Sequence, residues 1–332
     1  SFKKYFFNYK YFFFLSTLFF LSFEPTLNQW NRVLYSETIF FCLQLLTISL
    51  LISYNDKSSY KKTILIGIVL SLMYLQRTVS IYYLAIVIMY FYIFFRRKFN
   101  LNIAIILLIY LCTHLFIGYN NLKRDGKFYF YPIIAKEDMY GYFIPTILKY
   151  HQDDDFVKNF ETRHDKINNY LKKYNLASES EIDIEKRINL SNENFLQSID
   201  LISKYPFNSL KEYSISFAHF FLLKPNEVYF LFENKITYSG KFYSSKKFKD
   251  ELPLKIFYSL MIYAICIIGF LYFMKKKDYK IIFLLVSSIL YFSLPVVWHK
   301  QSSYLSPILI YLSIFFGSGL SQIFDKVKFY RK

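Results

Sequence analysis

Residues 101–118 read LNIAIILLIYLCTHLFIG, 18 consecutive positions without a formal charge, bracketed by Arg96-Arg97-Lys98 before and Lys123-Arg124 after. At about 1.5 Å per residue a helix over this stretch is about 27 Å long, close to the roughly 30 Å hydrocarbon layer of a bilayer. Further uncharged stretches occur at 11–23, 38–54, 63–76, 78–95, 256–274, 281–298 and 301–324. Most reach the length a crossing needs. The stretch at 11–23 is short, but Tyr5–Phe7 lie just upstream and Lys10 can snorkel. A single helix over 63–95 would exceed the membrane, so Gln76-Arg77-Thr78 is expected to be a tight turn between two crossings. The expected fold is all-α: a polytopic transmembrane helical bundle of about eight spans.

Composition agrees. The chain of 332 residues is 54% apolar and 22% aromatic, with 39 Phe and 33 Tyr beside only 8 Gly and 8 Pro. That excess of large apolar side chains exceeds what a water-soluble core needs, and it excludes disorder, collagen and small disulfide scaffolds. Cys42, Cys112 and Cys266 sit inside apolar stretches and read as small hydrophobes, with no disulfide or metal spacing. The first residue is Ser, without a charged n-region or cleavage site; the chain is expected to be part of a longer protein.

The net charge of +17 raises the question of nucleic acid, and the placement of the cations answers it. Lys3, Lys4, Lys10, Lys57, Lys61, Lys62, Arg96, Arg97, Lys98, Lys275, Lys276, Lys277, Lys280, Lys326, Lys328, Arg331 and Lys332 all fall in alternate short segments. The intervening short segments hold only Arg32, Arg77 and Lys300, and the long segment from Tyr119 to Glu251 is nearly balanced, with 20 Lys/Arg and 19 Asp/Glu. This is the positive-inside pattern and not a basic nucleic-acid face. It places both ends in the cytoplasm and the long segment outside, in a multi-pass protein of the cytoplasmic (inner) membrane.

Three regions follow: N-terminal spans over 1–118, an extracytoplasmic segment over 119–255, and C-terminal spans over 256–332. In the middle region Phe156, Phe160, Ile167, Tyr170, Leu171 and Tyr174 recur at helical spacing. Ser178 with Glu181 suggests a capping box for a second helix that stops at Pro206, and 209–223 reads as a third amphipathic stretch. A helical cap is expected. No internal repeat or Gly/Pro-broken helix of the secondary-transporter kind is present.

Ionisable groups at span ends are the candidates for chemistry. Glu37, Arg77, His299 and Lys300 all map to the outer side, where cations suit an anionic, lipid-linked substrate. Each has a plain alternative: Glu37 as a helix-terminus carboxylate, Arg77 as a turn anchor, His299 and Lys300 as interfacial residues. His114 reads as a packing histidine, Asp153-Asp154-Asp155 as a solvated run, and Gly317-Ser318-Gly319 as a close helix contact.

The order of local patterns resembles the GT-C class of membrane glycosyltransferases, which includes protein mannosyltransferases and the aminoarabinose transferase of lipid A. Phe19-Phe20-Leu21-Ser22-Phe23-Glu24-Pro25 followed by Leu34-Tyr35-Ser36-Glu37-Thr38-Ile39-Phe40 is similar to that class's acidic opening of an outer span end. Leu75-Gln76-Arg77-Thr78 resembles its outer Arg turn, and Asn120-Asn121-Leu122-Lys123-Arg124-Asp125-Gly126-Lys127-Phe128 its Asn-rich exit from a span. Ser303-Tyr304-Leu305-Ser306-Pro307 resembles its Arg-Tyr-x-x-Pro element, with Ser303 in the Arg position and Lys300 nearby.

The resemblance implies sugar transfer from a polyprenyl-phosphate carrier to a lipid, glycan or protein acceptor at the outer face, among membrane lipids and without nucleic acid. An outer carboxylate would take the acceptor proton and cations would stabilise the departing phosphate. Glu37 would be the second acidic group, the principal carboxylate belonging to an outer loop upstream. Arg77, Lys123, Arg124, His299, Lys300 and Tyr304 would contact substrate. No cofactor is implied, and the residues give no support for a divalent metal. The competing readings are an O-antigen-type polymerase or ligase, and a transporter or lipid flippase.

Overall fold

The computed structural model describes residues 17, 36–55, 60–96, 99–130, 139–148, 150, 163–175, 177, 182–223, 246–294 and 306–330. Among these the regular structure is helical throughout, without a strand. The chain divides into two compact units: one of Ser1–Tyr110, Ala218–Val296 and Gln301–Lys332, the other of Leu111–Phe217 and Val297–Lys300.

The first unit is built on α1 (Ser36–Ile52), α2 (Tyr60–Gln76), a 3-10 turn (Thr78–Tyr82), α3 (Tyr83–Phe94) and the first half of α4 (Phe99–Asp125). Among the described residues two helices are long and apolar enough to cross a membrane, α4 and the Ile256–Lys276 part of a later helix; shorter apolar helices cover Ile39–Ile52, Ser80–Phe94, Tyr279–Ser293 and Ile308–Phe324. The expected stretch at 11–23 lies outside the described residues, Thr17 apart.

The break at Arg77 is sharp. Arg77 is extended, with φ −146° and ψ 117°, between the last turn of α2 and the 3-10 turn. Its N–H still donates to the Met73 carbonyl at 2.8 Å, and its own carbonyl accepts from the Ser80 N–H at 3.0 Å. Both backbone groups are satisfied at the turn, as a helix end in an apolar setting requires.

Side-chain contacts fix the direction of each helix. At one end, Lys62 donates to the Ser53 carbonyl at 2.8 Å and Tyr90 to the Leu51 carbonyl at 3.0 Å. There Asn102 accepts from Thr63 at 2.9 Å and donates to the Tyr54 hydroxyl at 2.7 Å. Lys280 lies 4.2 Å above the Phe95 ring, and Arg96 stands 5.2 Å over Tyr92. This end therefore collects the close of α1 and α3 and the start of α2, α4 and the helix carrying Lys280. It is the basic end.

C-terminal to the helices of the second unit, the described helices are α9 (Lys246–Lys276), α10 (Tyr279–Ser293) and α11 (Ser306–Tyr330). Between α9 and α10 only Lys277 and Asp278 intervene; Lys277 takes the left-handed conformation, φ 56°, which closes a tight reversal. α11 runs parallel to α9, and their backbones touch. A Cβ at Gly269 would stand 2.8 Å from the Phe315 carbonyl carbon, and one at Gly319 2.9 Å from that of Ile265. Glycine is required at both positions by that close approach. The Cys266 thiol adds a 3.5 Å contact to the Leu312 carbonyl.

The interior of this unit sets polar side chains among apolar ones, and its surface carries large apolar groups. Gln44, Thr47, Thr63, Asn102, Ser288 and Ser313 are fully buried, whereas Ile64, Leu65, Ile68, Leu72, Ile267 and Leu271 are exposed. Polar groups kept to the interior beneath an apolar surface are the arrangement that a lipid solvent favours.

The second unit continues from Leu111 in α4. A π-helical turn (Met139–Phe143) leads into α5 (Ile144–Leu148), followed by α6 (Arg163–Tyr174), α7 (Ile184–Lys204) and α8 (Pro206–Leu223), the last belonging here through Phe217. Its core is Phe143, Ile144, Ile147, Leu148 and Leu201, with Phe195, Ile202, Tyr205 and Tyr213 packed around it. Lys166 reaches from α6 to Asn194 (3.0 Å) and Gln197 (2.7 Å) on α7, its ammonium 4.5 Å over the Tyr140 ring.

The start of α7 differs from the expected capping box. Asp183 is the cap, accepting from the N–H groups of Glu185 (2.9 Å) and Lys186 (3.4 Å), which a carboxylate at a positive helix end does well. Ser178 and Glu181 lie outside the described residues. Pro206 does not merely stop α7; it opens α8, because Pro fits the first helical position while forcing Tyr205 before it out of the helix.

Candidate functional site

Opposite the basic end of the first unit, four helices are joined through their interiors by one line of hydrogen bonds. Gln44 of α1 donates from Nε2 to the Tyr311 hydroxyl of α11 at 3.2 Å. Tyr311 donates to the Tyr83 hydroxyl of α3 at 3.4 Å, and Tyr83 and Ser288 Oγ of α10 are 2.8 Å apart. Ser288 in turn donates to the Leu284 carbonyl at 2.5 Å. That last bond assigns Tyr83 as donor to Ser288, so each hydroxyl gives one proton and accepts one. Gln44 Oε1 stands at the head of the line, buried and without a hydrogen-bond partner in the structure.

Aromatic rings wall this line in. Phe292 stacks on Tyr83 with centroids 5.4 Å apart and on Tyr311 at 5.9 Å, and Phe40 meets Phe292 edge-on at 5.9 Å. The four helices are thereby held in register at one depth.

Two of the candidate residues from the sequence belong to these same helix ends. Glu37 is the second residue of α1, seven positions or about 10 Å of helix before Gln44; its side chain lies outside the described residues. Arg77, partly buried, caps the 3-10 turn that leads into Tyr83. Its main chain is anchored further by Ser80 Oγ, which donates to the Arg77 carbonyl at 2.8 Å. His299, Lys300 and Tyr304 lie outside the described residues.

Lys123 and Arg124 belong to the second unit. There the Asn-rich exit from α4 forms a closed cap. Gly126 adopts φ +70° and its N–H returns to the Leu122 carbonyl at 3.0 Å, an αL helix ending. Tyr129 then folds back and donates to Asp125, while Arg124 grips Asp125 with Nε at 2.9 Å and Nη2 at 2.8 Å. Arg124 Nη2 also reaches Asn121 Oδ1 at 3.1 Å and the Tyr129 hydroxyl at 2.9 Å. Burial first, and the Asp125 carboxylate second, push the Tyr129 phenol above its ordinary range.

Lys123 lies 5.3 Å over the Tyr119 ring. Lys127 pairs with Glu185 at 2.6 Å, which raises the Lys127 pKa; both side chains are exposed, where water and salt screen such a pair. His114 packs edge-on against Phe130 at 5.2 Å. In this unit the groups that sequence reading singled out are engaged with one another and with rings of their own neighbourhood.

Five residues of interest escaped the sequence: Gln44, Tyr83, Ser288 and Tyr311 of the hydrogen-bonded line, and Glu212, which is 1% exposed and accepts from the Tyr150 hydroxyl. The first four sit singly in apolar stretches far apart in the chain, with no local pattern. Glu212 had a signal, an acid at an inward position of the amphipathic run 209–223. Among the described residues no three His, Cys, Asp or Glu side chains are grouped to hold a metal ion.

No family model, curated protein or solved structure matches the chain.

Proposed function

We propose that the protein is a GT-C-like membrane glycosyltransferase that moves a sugar from a polyprenyl-phosphate carrier to a lipid, glycan or protein acceptor. In this reading the first unit lies in the cytoplasmic membrane with its basic end inward, about eight spans cross in all, and residues 119–255 face outward. The observation that carries it is the tie between the helix ends of Glu37 and Arg77. The line from Gln44 through Tyr311 to Tyr83 links α1 and α3 two turns or less below those two residues, at the end away from Lys62, Arg96 and Lys280.

A carboxylate and a guanidinium at neighbouring helix mouths fit the two demands of the chemistry. The carboxylate accepts the proton of an acceptor hydroxyl or orients it, and the cation stabilises the phosphate that leaves as the anomeric carbon is attacked. Tyr304, on the stretch of sequence before α11, would add to the phosphate and sugar contacts.

The test is transfer from polyprenyl-phosphate-linked hexoses and pentoses by the full-length protein in proteoliposomes. Glu37→Gln and Arg77→Ala are each expected to lower transfer by about 10²–10³-fold, the usual loss for removing one charge-stabilising group. Wild-type rates in both variants would dismiss the assignment.

A further inference from the structure

The second unit presents an inverted helix face at the corner where α7 meets α8. On α8, the polar Ser209 and Glu212 point inward, 5% and 1% exposed, while Phe207 is 85% and Leu210 64% exposed. A helix bordering water shows the opposite arrangement. The apolar positions lie on one stripe: Phe207, Leu210 and Phe217 recur at three- and seven-residue steps with Ser214 between them, and Ile199 and Leu196 extend exposed apolar surface up α7.

Charge surrounds the corner unevenly. Lys204 and Lys211 bracket Phe207 and Leu210, each folded along the surface over a ring, Tyr205 at 5.2 Å and Tyr150 at 4.5 Å. The nearest acids along α7 are Asp200 and Glu193, one and more turns before Lys204. Glu212 is buried and accepts from the Tyr150 hydroxyl.

We infer that the α7–α8 corner is a membrane-interface anchor: Phe207 and Leu210 enter the boundary between headgroups and acyl chains, and Lys204 and Lys211 meet anionic headgroups. The occupant is lipid because apolar projections with flanking cations are the pattern that partitions there, to a depth of about 5–10 Å. The unit itself begins at Leu111, within α4, a helix long and apolar enough to cross a membrane. The inference rests on the membrane embedding alone and stands or falls independently of the transferase reading.

The experiment uses the full chain in vesicles of phosphatidylcholine and phosphatidylglycerol. The two native tryptophans, Trp30 and Trp298, are replaced by Phe, and Phe207→Trp supplies the only indole. Because Phe207 is exposed, the substitution leaves the core intact; elution as a single species after solubilisation checks this. Dibrominated acyl chains are expected to quench the emission about twofold, as fits a depth of about 5–10 Å, and iodide in the aqueous phase is expected to have little effect. Quenching by iodide without quenching by brominated lipid overturns the anchor in favour of a water-facing corner. Quenching by neither overturns it in favour of a corner covered by protein. Lys204→Gln with Lys211→Gln should weaken the lipid quenching in vesicles containing phosphatidylglycerol and leave it unchanged in pure phosphatidylcholine.

Discussion

The contact between α9 and α11 admits no side chain at its two glycines, so it predicts an unusually large effect for a single methyl group. In Gly319→Ala the new Cβ would overlap the Ile265 carbonyl oxygen and stand 2.9 Å from its carbon and 3.0 Å from the Gly269 nitrogen. Carbon atoms pack at about 3.5–4.0 Å, and relieving the overlap with the carbonyl oxygen parts the helices by more than about 1 Å, where a gap of 0.5–1 Å already forfeits a quarter to a half of each contact energy. The expected loss is about 3 kcal/mol, the upper part of the overpacking range. Gly269→Ala should cost as much. The double variant should cost well under the sum, because the separation forced by one methyl makes room for the other. Gly67→Ala is the internal control: its Cβ would meet the tip of the flexible Ile109 side chain at 2.8 Å, which can swing aside. The assay is reversible unfolding in mixed micelles followed by helical circular dichroism. Stabilities of Gly269→Ala and Gly319→Ala within about 0.5 kcal/mol of wild type, a change ordinary for surface sites, would refute the close backbone contact.

Two other outcomes follow from the polar features of the fold. Tyr311→Phe removes the acceptor for Gln44 and the donor to Tyr83, and should destabilise the protein by about 1–2 kcal/mol in the same micelle assay. Gln44→Leu removes a polar group whose Oε1 is already unsatisfied and should be neutral or stabilising. At the exit of α4, Gly126→Ala should cost about 1–2 kcal/mol because φ is +70° there, a cost set by the backbone and not by space. Gly126→Asn should recover most of it, and hydrogen exchange of residues 121–130 reports both.

Much of the helical architecture is legible in the sequence because its signal is local. An uncharged run between basic clusters identifies a helix and both its ends, and Arg77 and Lys277-Asp278 break the chain where charge interrupts apolar runs. The buried line from Gln44 to Ser288 was illegible for the opposite reason. Its members are single hydroxyl or amide side chains in four stretches, and only the packing of four helices gives them a common depth. The cap at Asp183 was misread because Ser178 with Glu181 fits a motif equally well by spacing, whereas the acid nearest the helix start is the one that reaches its N–H groups. Arg124 illustrates a third limit. Its charge was visible, but its pairing with the adjacent Asp125 depends on Gly126 turning the chain so that Tyr129 closes over both.

The glycine seam between α9 and α11 has a consequence for biogenesis. Its two halves are 50 positions apart, Gly269 and Gly319, and at about 5–20 residues per second of synthesis the earlier helix waits roughly 3–10 s for its mate. Throughout that interval the bare backbone stripe at Gly269 lacks the helix that covers it, while the tight turn at Lys277 already allows α9 to pair with α10. The seam sets the order of assembly: α9 and α10 are made first, and the contact at the two glycines closes only when α11 arrives.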